Sequence, residues 1–213
     1  NLGTEDSGFK PFVSATIEAI KIADKAYQRE GSLSGLSTGL LDLDKKLGGL
    51  NASDLIIIAG RPSMGKTALA TNIAFNIAKI NMRDRDTPDV NLKSVGPVVG
   101  FFSLEMSSSQ LASRILSEAS KVPSDQIRRG EMTEDEFRRF VEAAQQLENC
   151  SLFIDDTAAL PISTLTARAR RLKRTYGLDV LIVDYLQLVR PASAKDNRVN
   201  EISEITQGLK AIA

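Results

Sequence analysis

The most specific chemistry in the chain is carried by eight residues, Gly60-Arg61-Pro62-Ser63-Met64-Gly65-Lys66-Thr67. They follow the apolar run Leu55-Ile56-Ile57-Ile58-Ala59 and open a helical stretch, Ala68 to Lys79. The spacing is G-x-x-x-x-G-K-[ST], a loop that cradles a triphosphate. Two glycines let the chain curl so that successive amides face phosphate oxygens. The helix that starts there adds the free N–H groups of its first turn, Ala68 included, and the positive end of its dipole. Lys66 reaches β- and γ-phosphates as a point charge, and the Thr67 hydroxyl can ligate Mg²⁺. A Gly/Pro turn that binds nothing is the bland alternative, and it rarely yields all eight positions between a strand and a helix. The stretch predicts nucleoside triphosphate binding.

Two carboxylates are placed to complete such a site. Asp184 ends the apolar run Val180-Leu181-Ile182-Val183, the form of an acid that holds magnesium opposite Thr67. Leu152-Phe153-Ile154-Asp155-Asp156 has the same shape and competes for that role. Asp184 is the preferred candidate, with Asp155 and Asp156 read as bracing the loop to Pro161. Glu105 follows Phe101-Phe102-Ser103-Leu104, where a carboxylate near a γ-phosphate can orient and deprotonate water. By spacing alone it is equally an acid at the start of the helix that follows. Arg168, Arg170, Arg171, Lys173 and Arg174 make one helix basic, which reads first as a solvated face and second as a nucleic-acid patch.

The elements that must position these groups alternate in type. Strands are expected at Asp54–Ala59, Val98–Leu104, Ser151–Asp155 and Asp179–Val183. Helices are expected at Thr38–Leu47, from Ala68 to about Ile80, at Ser107–Lys121, Thr133–Leu147 and Ile162–Tyr176, and from near Val199. Ser37 or Thr38 would cap the first and Gly48-Gly49 end it, while Thr133 through Glu136 forms a capping box. Pro123 to Ile127 suits a short helical turn. Residues 81–97 and 191–197 read as polar loops. The pattern implies a mostly parallel sheet with helices on both faces, with ligands at the carboxyl ends of the strands. Ahead of this core come a lead-in at 1–12, a helix at 13–30 and a Ser/Gly-rich linker at 31–35; the core itself runs over 36–213. The apolar stripe Val13, Ile17, Ile20, Ala23, Tyr27 either packs on its own domain or docks on a neighbouring copy.

Composition narrows the classes. The chain has 213 residues, enough for one sizeable domain, and no apolar run near the ~20 residues that span a bilayer. One cysteine, Cys150, excludes an internal disulfide, and a reducing, cytoplasmic setting is expected. The absence of histidine removes imidazole from any catalytic scheme. With 27 basic and 27 acidic residues there is no overall basic balance to advertise nucleic acid. The chain starts with Asn and stops inside a helical stretch, so it is expected to be a fragment, truncated at its carboxyl end.

Taken together, several stretches resemble the DnaB-type replicative DNA helicases, in their carboxy-terminal motor domain of RecA-like fold. They are Gly35-Leu36-Ser37-Thr38-Gly39 with Leu41-Asp42-Leu43-Asp44, the segment from Asp54 to Thr67, and Phe101-Phe102-Ser103-Leu104-Glu105-Met106-Ser107. Asp184-Tyr185-Leu186-Gln187-Leu188 and Asn197 through Ile205 complete the set. The resemblance implies an ATP- and Mg²⁺-dependent homo-hexamer that encircles single-stranded DNA and unwinds duplex at a bacterial replication fork. It also implies primosome partners, a primase and a helicase loader. It puts Glu105 on the catalytic glutamate, Asp184 on the magnesium-holding acid, 13–30 on the linker helix that docks on the next subunit, and 190–198 near the DNA-facing channel. Segment 81–97 departs by being longer and more polar, and the later sensor strand, main DNA loop and arginine finger are expected to lie past residue 213. Two other classes fit the residues: a recombinase-like ATPase that coats DNA as a filament, and an assembly module in which ATP only joins subunits. Lys66→Ala should abolish binding in all three, whereas Glu105→Gln should stop turnover only in an enzyme.

Overall fold

A computed structural model describes residues 11–27, 33–80, 96–148, 150–191 and 198–213. Most of the expected loop at 81–97, the lead-in before Pro11, the end of the expected helix at 13–30 with the start of the 31–35 linker, and the loop at 192–197 lie outside the described residues.

Three strands form a parallel sheet in the order β2-β1-β3, with β1 Val99–Ser103, β2 Leu152–Asp155 and β3 Val180–Asp184. Val99 pairs with Leu152 on one side and Val180 on the other, so the strands start level and end at one edge. Side chains alternate across the sheet with period two. Val99, Phe101, Leu152, Ile154, Val180 and Ile182 turn to one face and pack on Ile73, Ala74, Ile77 and Ala78 of helix α3, Lys66–Ala78. Phe102, Leu181 and Val183 turn to the other face, against α7, Ile162–Tyr176, and α8, Arg198–Lys210. β1 is buried along its length because it has a strand on each side and helices above and below. At Gly100 an added Cβ would lie 2.9 Å from a Leu172 methyl of α7, so that leucine side chain would have to shift to admit it. The doubly covered parallel sheet is as expected.

The remaining helices are α1 Phe12–Tyr27, α2 Leu41–Leu47, α4 Ser108–Ser120, α5 Ser124–Arg129 and α6 Glu134–Leu147. Thr133 and Ser107 each form a complete capping box, with Glu136 and Gln110. α2 starts later than expected, at Leu41, because the Ser37 and Thr38 hydroxyls bond the Asp44 carboxylate instead of capping the helix, at 2.6 and 2.7 Å. Burial would raise the pKa of Asp44, yet hydrogen bonds from Ser37, Thr38 and Gly39 outweigh it and hold the carboxyl below its ordinary range. Gly48 ends α2 in the left-handed conformation, as expected.

One expected strand is not formed. Among the described residues Asp54 to Ala59 has no ladder partner, and Leu55, Ile56, Ile57 and Ile58 are between 37% and 65% exposed. β-branched composition describes a chain that would suit a pleated, half-buried surface; pairing is what makes it a strand. Here the turn at Asn51–Asp54 and a bond from Lys210 Nζ to the Ser53 carbonyl hold the start of the segment, and no strand among the described residues pairs with it.

Candidate functional site

The phosphate-type loop is built by local conformation. Ser63 and Gly65 have φ of +62° and +84°, and Gly65 leads directly into Lys66, the first residue of α3. A side chain at Gly65 would meet open space, so it is the positive φ that demands glycine there. No side chain caps α3, so its first amides are free for an anion. Lys66 Nζ donates to the carbonyls of Gly60 and Arg61, at 2.9 and 3.0 Å, and so folds back over the loop. Arg61, Pro62, Ser63 and Met64 are exposed, while Thr67 is half-buried.

The direction of α3 places that loop. Lys79, just past the carboxyl end of α3, acts electrostatically on Cys150, which precedes β2. α3 therefore runs against the strands, and its amino end lies at their carboxyl edge. Burial is the main influence on Cys150 and raises its thiol pKa, which makes it a poor nucleophile.

Asp184 and Glu105 are at the same edge. Asp184 ends β3 in register with Ser103 at the end of β1, and its carbonyl accepts the Leu104 N–H at 2.8 Å. Asp184 is only 6% exposed, and its Oδ2 has no hydrogen-bond partner among the described residues. A buried carboxylate oxygen left unpaired is costly, and a cation is the partner that suits it. Among the described residues no three acidic or thiol side chains cluster to form a metal cage. Magnesium needs none: one carboxylate, one hydroxyl and substrate phosphates suffice. Thr67 and Asp184 therefore fit Mg²⁺ in a nucleotide complex. Glu105 lies in the exposed turn between β1 and α4 and makes no hydrogen bond or ion pair to a described residue.

Asp155 differs from Asp184 in being satisfied. Its Oδ2 accepts from Arg168 Nη1 at 2.7 Å, and its Oδ1 accepts from the Thr157 N–H at 3.0 Å. Burial pushes its carboxyl up, but Arg168 and Thr157 outweigh that and leave it below the usual range. Asp156 Oδ2 accepts the Ser108 N–H at 2.8 Å, and these Ser108 bonds lower its pKa. Asp155 braces the loop toward Pro161 through Thr157, whereas Asp156 reaches instead to the first residue of α4.

Two contributors escaped sequence reasoning. Ser103 is buried and donates to the Met106 carbonyl at 2.7 Å. Asn76 of α3 donates to the Thr38 carbonyl at 3.1 Å, tying α3 to the Asp44 network. A polar residue closing an apolar strand was the only signal for Ser103. On α7, Arg170, Arg171 and Arg174 are exposed, whereas Arg168 is tied to Asp155. α1 shows Phe12, Val13, Ile17 and Ile20 to solvent, so the apolar residues described on it are not covered by its own domain. Among the described residues no helix is long and apolar enough to cross a membrane.

Residues 35–213 match the DnaB-like helicase C terminal domain family. A curated relative from Rickettsia typhi, replicative DNA helicase DnaB, is 50% identical over 99% of this chain. The protein of the same name from Geobacillus stearothermophilus is 36% identical over 96% of it. The chain spans 42% of the length of each. A solved DnaB-like replicative helicase, studied for its interactions with primase, superposes with a TM-score of 0.77 at 28% identity; the match covers 99% of this chain and 46% of that one. A second solved structure, of an ATPase domain, also gives a TM-score of 0.77, at 30% identity over 92% of this chain and 66% of that one.

Proposed function

The chain belongs to the DnaB-like helicase C-terminal domain family, and from that premise we propose that it is the ATP-hydrolysing motor of a replicative DNA helicase. The observation that carries this reading is an uncapped helix start bearing Lys66 and Thr67, together with a buried Asp184 oxygen, at the end of β3, that has no partner among the described residues. In this reading the amides from Gly60 to Ala68 and the Lys66 ammonium bind the phosphate tail, Lys66 leaving its carbonyl partners to do so. Thr67 and Asp184 would hold Mg²⁺, which when bound neutralises charge on the β- and γ-phosphates. Glu105, free of partners among the described residues, takes a proton from the water that attacks the γ-phosphorus in line, with ADP leaving. Lys66 stabilises the charge that builds on the transferred group.

Coupling to DNA is part of the same proposal. Six copies would form a ring around single-stranded DNA, each α1 (within residues 13–30) laying its apolar side chains on the adjacent copy, with 36–213 as the ATPase domain. The parent protein of this chain would work in the bacterial cytoplasm at the nucleoid, with a primase and a loader as partners. Strand displacement on a forked duplex by the full-length protein tests the function. Separation that needs ATP and Mg²⁺ is expected, and Glu105→Gln should still bind ATP while turnover falls roughly 10²–10⁴-fold. A wild type that hydrolyses ATP but never separates strands would sink the helicase reading.

A further inference from the structure

Among the described residues Glu105 has no side-chain partner, so its position is set by the backbone that carries it. That backbone is gripped from two sides. Ser103 is 1% exposed and ends a strand otherwise made of Val99, Gly100, Phe101 and Phe102. A buried hydroxyl costs stability unless it is bonded, and an apolar residue there would avoid the cost. Its bond goes to the carbonyl of Met106, three residues on, and closes the turn around Leu104 and Glu105. On the outer side, Asp156, from the loop after β2, accepts the Ser108 N–H at 2.8 Å. The capping box of α4 occupies the N–H groups of Ser107 and Gln110, and Asp156 takes the Ser108 N–H that the box leaves over, so it ties the loop after β2 to the end of this turn.

We propose that Ser103 and Asp156 are positioning residues for the reaction: together they clamp the Ser103–Ser108 turn so that Glu105 meets the attacking water. This rests on the reading of Glu105 as the base. The clamp links the ends of all three strands to one turn, since Leu104 N–H also bonds the Asp184 carbonyl. Misplacing a catalytic group by about 1 Å can cost 10²-fold in rate.

ATP hydrolysis by the full-length protein tests the clamp. Ser103→Ala and Asp156→Ala should each lower kcat about tenfold, with KM for ATP changed less than about twofold. Asp156→Asn keeps an oxygen acceptor and should restore most of the rate. In a Glu105→Gln background, followed by single-turnover hydrolysis, neither alanine variant should cost anything more, because the group they position is gone. Asp156 is exposed, so its variants remain informative even if Ser103→Ala fails to fold. A rate loss that persists in full on Glu105→Gln would make both residues merely structural and overturn the proposal. Wild-type rates in both alanine variants beside a dead Glu105→Gln would sink the clamp alone. A Glu105→Gln that turns over normally would remove the base, and the clamp with it.

Discussion

Two apolar runs lead toward the nucleotide edge, and they end differently. Val180 to Asp184 pairs with β1, packs on both faces and delivers an acid into a buried position. Leu55 to Ala59 has the stronger aliphatic run and leads into the phosphate-type loop, yet among the described residues it pairs with nothing, and it faces solvent. Hydrophobic composition gives a segment a reason to be buried; only a neighbour with free N–H and C=O groups gives it a register. β3 gains its register from β1, while the lead-in is held at Ser53 by Lys210 and at Gly60 and Arg61 by Lys66.

The largest expected effect breaks the acid end of this comparison. Asp184→Asn should lower Mg²⁺-dependent hydrolysis roughly 10²–10³-fold. Asp155→Asn, at the end of β2, should lower it less than about tenfold, because that carboxylate serves Arg168. Equal losses in steady-state assays would mean that the two strand ends share the metal role.

A second test weighs the two runs in stability. Ile182→Ala, facing α3 in the core, should destabilise by about 2 kcal/mol, whereas Ile57→Ala should cost under about 0.5 kcal/mol. Urea midpoints measure both. The same contrast should show in hydrogen exchange, with protected amides at 180–184 and fast exchange at 55–59. A protected lead-in would show that it finds a partner in solution.

The smallest effect is in pH. The carboxyl of Asp155 has its pKa lowered in the folded chain, so its ion pair with Arg168 adds stability above the unfolded value near ~4. That contribution is lost as the pH falls through the lower folded value. Asp155→Asn should therefore flatten the acid limb of a stability–pH curve and cost at most about 1 kcal/mol at neutral pH. A limb unchanged in the variant would show the pair contributes nothing.

Local signals carried much of the fold. The capping box at Thr133 and Glu136, the αL end at Gly48 and the continuous apolar runs of β1 and β3 are all set within a few residues. Expectation failed where the deciding partner was distant. The lead-in needed a neighbouring strand, the start of α2 was moved by Asp44, and the Asp156–Ser108 bond joins segments 48 residues apart. The loop and both strand-end acids were legible because each is one residue type at the end of a recognisable run. Ser103 was not, since a serine at a strand end looks like ordinary termination.

Level strand starts carry a consequence for how this domain tolerates length change. Because Asp184 sits opposite Ser103, one residue inserted between Asp179 and Val183 would carry the carboxylate about 3.3 Å along the strand and turn it to the opposite side of the pleat. Substitutions inside β3 can be absorbed by repacking, but an indel there has no compensating move. Reading-frame-preserving insertions should be accepted in surface loops and rejected across these five residues.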